Sequence, residues 1–203
     1  MKGEKVTSKQ VAERAGVSQA AVSRVFTPGA SASRKTADKV RKAAGELGYR
    51  PNILARSLIT GKSQIIGLVV AYLENQFYPE AIEKLSKTLQ LHGYHVLVFM
   101  ASNDERTNQT VIDELLDYQV DGIITASVGM SNALTSRCEA AGIPIILFNR
   151  LQDDPRLSGV SSDNFRGGYK LAEFLISAGH KRIAHIAGWA GASTQRDREA
   201  GFL

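Results

Sequence analysis

Apolar and polar residues at the start of the chain follow the spacing of short helices. Thr7 and Gln10 stand three residues apart, as in a capping box, and predict that a helix begins at Thr7 and continues to about Ala15. Gly16 allows a tight turn after this helix. Ser18 can cap a second helix, whose apolar residues recur with a helical period. The pattern therefore predicts two short helices joined by a glycine turn.

A third amphipathic stretch begins after Ser33 and runs to about Leu47. Its apolar residues recur at intervals of three and four and are expected to face inward: Ala37, Val40, Ala44 and Leu47. Gly48 is expected to end it in a left-handed conformation. Two helices joined by a glycine turn and closed by a third predict an N-terminal, all-α helix-turn-helix domain.

From residue 65 onward, short apolar runs alternate with amphipathic stretches. The apolar runs predict buried parallel strands over residues 65–71, 95–100, 121–126, 144–148 and 182–187, with a shorter extended stretch near Val160. The amphipathic stretches predict helices over residues 79–91, 106–118, 131–141 and 166–178. Repeated strand and helix units predict an α/β, doubly wound parallel sheet. Ligands of such sheets bind beyond the carboxyl ends of the strands.

Charge is distributed unevenly between the two parts of the chain. Residues 1–64 contain 13 Lys and Arg against 4 Asp and Glu, a net charge of +9. Residues 65–203 contain 12 basic against 16 acidic residues, a net charge of −4. A basic segment joined to a mildly acidic one indicates a module that binds a polyanion. A solubilising basic tail is the alternative, but helical patterning throughout the basic segment disfavours it.

The second predicted helix carries few side chains that form hydrogen bonds. Gln19 has the donor and acceptor that recognise adenine, and Arg24 suits guanine. Small residues such as Ala20 let a helix approach DNA closely. Hydroxyl groups at the helix starts or on the same side of the segment suit phosphate contacts: Thr7, Ser8, Ser18, Ser23 and Ser33. Helix capping is the alternative role of each serine, and a helical hairpin without a DNA role is the alternative for the segment.

A hinge is predicted after the third helix. Pro51 disfavours helix in the residue before it, so the third helix is expected to end there. Residues 53–58 have the pattern of a very short helix, which is unstable in water by itself. We expect DNA or a second copy of the chain to stabilise it, with Leu58 inserted between base pairs of the minor groove. An ordinary linker with buried leucines is the alternative.

No catalytic, metal-binding or membrane-spanning pattern occurs in the sequence. It lacks a dinucleotide fingerprint, a P-loop and a nucleophilic serine motif, and its four histidines are not at the spacing of metal ligands. Cys138 is the single cysteine, which excludes an internal disulfide. The start of the chain has no apolar secretory segment, and the run at residues 65–73 is too short to span a bilayer. We expect a cytoplasmic, soluble protein without cofactor, metal, enzymatic activity or membrane contact.

Motifs that carry a family resemblance run through the whole chain. The first 70 residues contain VTSKQVAERAGVSQAAVSRVF (6–26), KTADKV (35–40), LGYRPN (47–52), ARSL (55–58) and IGLVV (66–70). Further along come GY (93–94), DGII (121–124), GIPIILFNR (142–150), SSDNFRGG (161–168), GHKRIA (179–184) and REAGF (198–202). On these motifs the sequence resembles the lactose/galactose repressor (LacI/GalR) family.

The resemblance implies a transcriptional repressor that binds a pseudo-palindromic double-stranded DNA operator as a homodimer. A small-molecule effector, a sugar or related metabolite, would bind between two subdomains of a type I periplasmic-binding-protein-like fold. The expected divisions are a headpiece (1–50), a hinge helix and linker (51–64), a first effector-binding and dimerisation subdomain (65–161) and the start of a second (162–203). Family members continue well beyond this length, so a C-terminally truncated chain with an incomplete α/β part is expected. A periplasmic-type binding protein without a DNA role is the alternative.

The resemblance also implies which residues contact DNA. Gln19 and Ala20 are at the two positions that set operator preference in the family. Around the hinge, the residues expected to contact DNA are Tyr49, Asn52, Ala55 and Leu58. Tyr49 maps to a tyrosine that contacts phosphate, Ala55 to an alanine in the minor groove, and Leu58 to the hinge leucine.

Five residues map to the effector cleft of the family. Phe77 and Tyr78 would form an aromatic wall, and Arg198 matches an arginine that binds ligand oxygens. Asn149 stands where the family often has Asp, a departure that weakens the inference of a sugar in particular. Asp163 matches a position near the cleft, with capping of the following helix as its alternative. A solvated surface charge is the alternative for Arg198.

Overall fold

A computed structural model describes residues 6–27, 29–51, 61–101, 105–128, 131–154 and 156–203. The chain divides into two compact units, Met1–Ile59 and Thr60–Leu203. The first unit contains helices and the second a parallel sheet with helices.

Three helices form the first unit: α1 (Ser8–Ala15), α2 (Gln19–Phe26) and α3 (Arg34–Leu47). The predicted capping box is confirmed, because the Thr7 side chain accepts a hydrogen bond from the backbone of Gln10 and the Gln10 side chain accepts one from the backbone of Thr7. The predicted turns are confirmed as well. Gly16 and Gly48 end their helices in the left-handed region, which costs glycine little.

The core of the first unit is small and made of small residues. Val11, Val22 and Val40, one from each helix, are completely buried. Alanines fill the space around them: Ala12, Ala43 and Ala44. Ala43 was not among the residues predicted to face inward, and Ala37 is only half-buried. These short side chains allow three short helices to pack closely around one centre.

The second unit contains a sheet of five parallel strands in the described residues. They are β1 (Ile65–Val70), β2 (His95–Met100), β3 (Gly122–Ala126), β4 (Ile145–Phe148) and β5 (Ser158–Val160). The strand order is β2-β1-β3-β4-β5. The strand β2 lies on one side of β1, and the later strands β3, β4 and β5 follow on the other side. The strand order therefore reverses between β1 and β3. This reversal is the position where parallel sheets bind ligands.

Five helices of the second unit fall within the described ranges. They are α4 (Phe77–Leu91), α5 (Glu105–Asp117), α6 (Asn132–Ala140), α7 (Asn164–Ser177) and α8 (Ser193–Phe202). One side of the sheet packs against α5 and α6 through a core that contains Ile112, Leu115, Ile123 and Leu147. The other side carries a smaller core with Leu68, Val70, Tyr78 and Ala126.

Close contact between α7 and α8 depends on two glycines. A Cβ atom on Gly168 would lie 2.1 Å from the carbonyl oxygen of Arg198, and one on Gly201 would lie 2.0 Å from that of Phe165. Gly168 therefore allows the close packing of these two helices. Gly167 has no such neighbour, because a Cβ there would meet nothing within 4 Å.

Two predictions about the strands are wrong. Residues 182–187 form no strand, and Ile186 is 97% exposed. An apolar run becomes a strand only where a neighbouring strand takes up its backbone hydrogen bonds, and no described strand lies beside it. Strand β2 is not fully buried either, since it lies at the edge of the sheet with Val98 and Met100 about half exposed.

Candidate nucleic-acid interface and the ligand end of the sheet

Helix α2 has one buried face and one exposed face. Val22 packs in the centre of the first unit, whereas the residues of this helix that were predicted to contact DNA are exposed: Gln19, Ala20, Ser23 and Arg24. Three of the four lie in the first five residues of the helix, and Arg24 follows at the next position. The N-terminal part of a recognition helix is the part that contacts base edges in the major groove. The exposed face of α2 therefore has the form of a DNA-recognition surface.

The Gln19 side chain is held in place by the preceding helix. Its Nε2 donates a hydrogen bond to the hydroxyl of Ser8 at 2.8 Å. Ser8 is the first residue of α1 and Gln19 the first of α2, so this bond joins the starts of the two helices. The interaction was not predicted from the sequence.

Hydroxyl side chains cap the helices of the first unit. Ser18 accepts a hydrogen bond from the backbone of Ala21 at 3.2 Å, and Ser33 accepts one from Thr36 at 3.2 Å. Capping satisfies backbone N–H groups that have no partner inside the helix. Both serines are exposed, so the caps leave their hydroxyl groups accessible from solvent. Capping is confirmed for these serines, and a phosphate contact stays a prediction.

Tyr49 follows α3 and packs back onto α2. Its ring lies 5.8 Å from the ring of Phe26, centre to centre, and its backbone donates to the carbonyl of Ala44 at 2.8 Å. The tyrosine is half-buried, and its contact with Phe26 fixes its position relative to α2. Three predicted DNA contacts lie outside the described residues: Asn52, Ala55 and Leu58.

A polar cluster occupies the carboxyl ends of β3 and β4 in the second unit. The hydroxyl groups of Tyr78 and Ser127 are hydrogen-bonded to each other. Asn149 donates from Nδ2 to the Tyr78 hydroxyl at 2.7 Å and to the Ser127 hydroxyl at 3.2 Å. The sheet order thus brings together Tyr78, Ser127 and Asn149 next to the position where it reverses.

Backbone strain coincides with this cluster. Ser127 has φ 58° and Asn149 has φ 71°, both in the left-handed region that L-residues rarely adopt. Each residue directly follows its strand, so the strain lies where the chain leaves the sheet. Strained backbone is typical of binding and active sites. The strain and the polar cluster make this end of the sheet a candidate ligand site.

The two aromatic residues predicted to form one wall differ in their surroundings. Tyr78 is only 6% exposed, and its hydroxyl already has two partners. Phe77 is 47% exposed and stacks on Phe148 with the two ring planes 1° apart. Phe77 therefore presents an aromatic surface to solvent, whereas Tyr78 supports the cluster beneath it.

Arg198 is oriented by a buried asparagine. Its Nε donates to Oδ1 of Asn164 at 2.8 Å. Asn164, which is 5% exposed, donates from Nδ2 to the Ser161 hydroxyl at 3.1 Å and to the Ser162 carbonyl at 2.9 Å. The Ser161 hydroxyl in turn donates to the carbonyl oxygen of Asn149 at 3.0 Å. A continuous chain of hydrogen bonds thus connects Arg198 with the polar cluster.

Asp163 acts as the N-cap of α7. Its side chain accepts a hydrogen bond from the backbone of Arg166 at 2.9 Å, which is the capping alternative stated above.

The guanidinium of Arg150 lies 4.9 Å from the ring centre of Trp189. This arrangement is a cation–π contact between the end of β4 and the segment before α8.

Asp121 fixes the start of β1 and was missed by the sequence analysis. One carboxylate oxygen accepts hydrogen bonds from the backbone N–H of Ser63 at 2.8 Å and from its hydroxyl at 3.0 Å. The other oxygen accepts from the backbone N–H of Gln64 at 3.0 Å. The carboxylate therefore holds the two residues through which the chain enters the sheet.

A cavity of about 360 Å³ lies at the opposite end of the sheet, around the starts of β4 and β5. Arg156 lines it and binds Asp154 through two side-chain hydrogen bonds of 3.0 and 2.7 Å. These bonds, with one from the Arg156 backbone, lower the pKa of the Asp154 carboxyl to about 2. Arg156 is thus paired with an acidic residue in a cavity away from the polar cluster.

No helix of the described ranges is both long and apolar enough to cross a membrane. Together, the two units define a class of protein: a helix-turn-helix domain followed by a parallel α/β domain with a polar cluster at the carboxyl ends of its strands. Comparison with known families agrees with this class. Residues 7–52 match the model described as bacterial regulatory proteins, lacI family. Residues 63–203 match the model of periplasmic binding proteins and the sugar binding domain of the LacI family. The chain belongs to the LacI family.

Curated relatives are bacterial regulators. The chain is 40% identical over 180 residues to a sucrose operon repressor of Lactococcus lactis, which covers 89% of this chain and 55% of that protein. It is 30% identical over 202 residues to the transcriptional regulator MalR of Streptococcus pneumoniae, which covers 97% of this chain and 61% of that one. The chain thus spans a little over half the length of these relatives. They are named as regulators of transcription rather than as enzymes.

Solved structures of transcriptional regulators are similar to this chain as well. The Lac repressor dimer bound to operator and the anti-inducer ONPF matches with a TM-score of 0.84 and 29% identity, over 98% of this chain and 61% of that one. A transcriptional regulator CelR–cellobiose complex matches with a TM-score of 0.62 and 28% identity, over 98% of this chain and 60% of that one.

Proposed function

We propose that the protein is a transcriptional repressor that binds a pseudo-palindromic DNA operator as a homodimer and is controlled by a small-molecule effector. The DNA-binding part of this proposal rests on the exposed face of α2. Gln19 and Arg24 have the hydrogen-bonding groups that recognise adenine and guanine, and Ala20 leaves room for close approach. The net charge of +9 over residues 1–64 supplies attraction to the phosphate backbone. It acts in the cytoplasm, where bacterial DNA lies.

Each part of the chain has its own role in the proposal. Residues 1–50 are the DNA-binding headpiece, and residues 51–64 the hinge helix and linker. Residues 65–161 form a first effector-binding and dimerisation subdomain, and residues 162–203 begin a second. Asn52, Ala55 and Leu58 contact DNA at the hinge, and the following residues contact phosphates: Thr7, Ser8, Ser18, Ser23, Ser33 and Tyr49.

The effector binds at the carboxyl end of the sheet. Phe77 offers an aromatic surface, Asn149 an amide, and Arg198 a guanidinium for ligand oxygens. Tyr78 supports the site through its hydrogen bond to Ser127, and Asp163 caps the start of α7. Planar aromatic faces beside hydrogen-bonding groups suit a polyhydroxylated ligand, and relatives are named for sucrose and cellobiose. We therefore propose a sugar or related metabolite.

Effector binding would control DNA binding through the hinge. A ligand held by both subdomains biases their relative orientation, and this orientation sets the spacing of the two hinge helices of the dimer. Hinge helices that separate lose the contacts that stabilise them, so the headpieces lose their register on the operator. A ligand-binding protein of the periplasmic type without a DNA role is disfavoured, because residues 7–52 match the DNA-binding family model.

Selection of DNA sequences from a random pool tests the proposal. The 203-residue chain is incubated with duplexes that contain a randomised segment, and bound duplexes are recovered and sequenced. We expect enrichment of a motif whose half-sites are related by two-fold symmetry. Gln19→Ala should remove the preference at one position of each half-site. Recovery of random sequences by the unmodified chain would contradict the proposal.

A further inference from the structure

The hydrogen bond between Gln19 and Ser8 restricts a side chain that is otherwise flexible. Gln19 is exposed at the start of α2. Its Nε2 donates to the Ser8 hydroxyl oxygen at 2.8 Å. The two helix starts are fixed independently, α1 by the Thr7 capping box and α2 by the Ser18 cap. The bond therefore connects two rigid points of the backbone.

The remaining groups of the Gln19 amide match the edge of adenine. A glutamine amide has one carbonyl oxygen and two N–H groups. Ser8 uses one N–H, which leaves the carbonyl oxygen and the second N–H. This donor and acceptor pair is the one that recognises adenine at N7 and N6 in the major groove.

We propose that Ser8 is a positioning residue for sequence recognition, an inference that rests on the proposed DNA-binding function. Ser8 orders the Gln19 amide before DNA arrives, so less rotamer freedom is lost on binding. It also fixes which side of the amide faces outward, and this favours adenine over a base with the reverse pattern. The Ser8 hydroxyl accepts from Gln19 and keeps its own hydrogen for a phosphate oxygen or water.

Two roles of Ser8 predict different patterns of affinity. A phosphate contact alone supports all sequences alike, since phosphates carry no sequence information. A positioning role supports only the sequence that Gln19 recognises. The comparison needs affinities for four duplexes that differ at the single position where Gln19→Ala removes the preference.

The experiment measures the Kd of the 203-residue chain for these four duplexes. Ser8→Ala should reduce the preference for the selected base pair roughly 2- to 10-fold, the range that one neutral hydrogen bond supplies. Ser8→Thr retains the hydroxyl and should restore the preference. In a Gln19→Ala background, Ser8→Ala should not change the preference further.

Two results would overturn the inference. One is an equal loss of affinity for all four duplexes in Ser8→Ala, which leaves the preference unchanged, and the other is no change in affinity for any of them. Helical circular dichroism of each variant, matched to the unmodified chain, shows that its helices are retained. Failure of the proposed function looks different, because the unmodified chain would then prefer none of the four duplexes.

Discussion

Removing the Asp121 carboxylate should destabilise the second unit strongly. In Asp121→Ala, the backbone N–H groups of Ser63 and Gln64 and the Ser63 hydroxyl lose their acceptor. Ser63 is only 4% exposed, so water cannot replace the carboxylate without rearrangement. A hydrogen bond to a charged group contributes about 1.5–3 kcal/mol. With two backbone donors at the lower value, we expect a loss of about 3 kcal/mol in the free energy of unfolding.

Urea unfolding followed by the fluorescence of Trp189 measures this loss. Trp189 is the single tryptophan of the chain and lies in the second unit, so its signal reports that unit. With an m-value of about 2 kcal/mol/M, a loss of about 3 kcal/mol lowers the urea midpoint by about 1.5 M. Asp121→Asn keeps one acceptor oxygen and should lower the midpoint by roughly half as much.

Asp113→Ala is the matched control. Asp113 forms an exposed ion pair with Arg137, and such pairs contribute about 0–1 kcal/mol. Its midpoint should therefore fall by less than about 0.5 M. If Asp121→Ala and Asp113→Ala shift the midpoint equally, the carboxylate does not hold residues 63 and 64 as described.

Further predictions concern the rest of the second unit. Gly168→Ala should cost about 1–3 kcal/mol of stability, because the added Cβ meets the backbone of α8. Gly167→Ala places its Cβ in open space and should be neutral or stabilising. Thermal unfolding compares the two variants. Cys138 is completely buried and burial raises the pKa of its thiol, so it should react with a thiol reagent only after unfolding; rapid reaction of the folded chain would refute its placement. The pKa of Asp154 is lowered to about 2, so the carboxylate contributes stability above its unfolded pKa near 4, and this contribution is lost as the pH falls through 2. A carboxyl NMR titration should show a return toward the ordinary pKa in Arg156→Gln, and an unchanged midpoint would exclude Arg156 as the cause.

Local patterns predicted most of the elements within a few residues. The capping box of Thr7 and the caps of Ser18 and Ser33 involve residues three positions apart, so the sequence shows both partners together. The strands β1 to β4 follow continuous apolar runs, which mark a parallel sheet without knowledge of its neighbours.

Contacts between distant residues could not be predicted in this way. Asp121 binds Ser63 across 58 positions, and Asn164 binds Arg198 across 34. In the sequence, Asp121 is only the polar residue before a strand and Asn164 only a residue near a helix start. The strand predicted at residues 182–187 failed for a related reason, since its apolar run says nothing about whether a partner strand lies beside it.

The affinity for DNA as a function of salt tests the central claim most directly. The Kd of the 203-residue chain is measured for the selected duplex and for an unrelated duplex of equal length, across a series of KCl concentrations. We predict that log affinity falls linearly with log salt for both duplexes, with a slope of about −0.9 for each phosphate neutralised, and that the selected duplex binds more tightly throughout. An affinity that does not change with salt, or equal affinity for the two duplexes, would contradict recognition of DNA by the exposed face of α2.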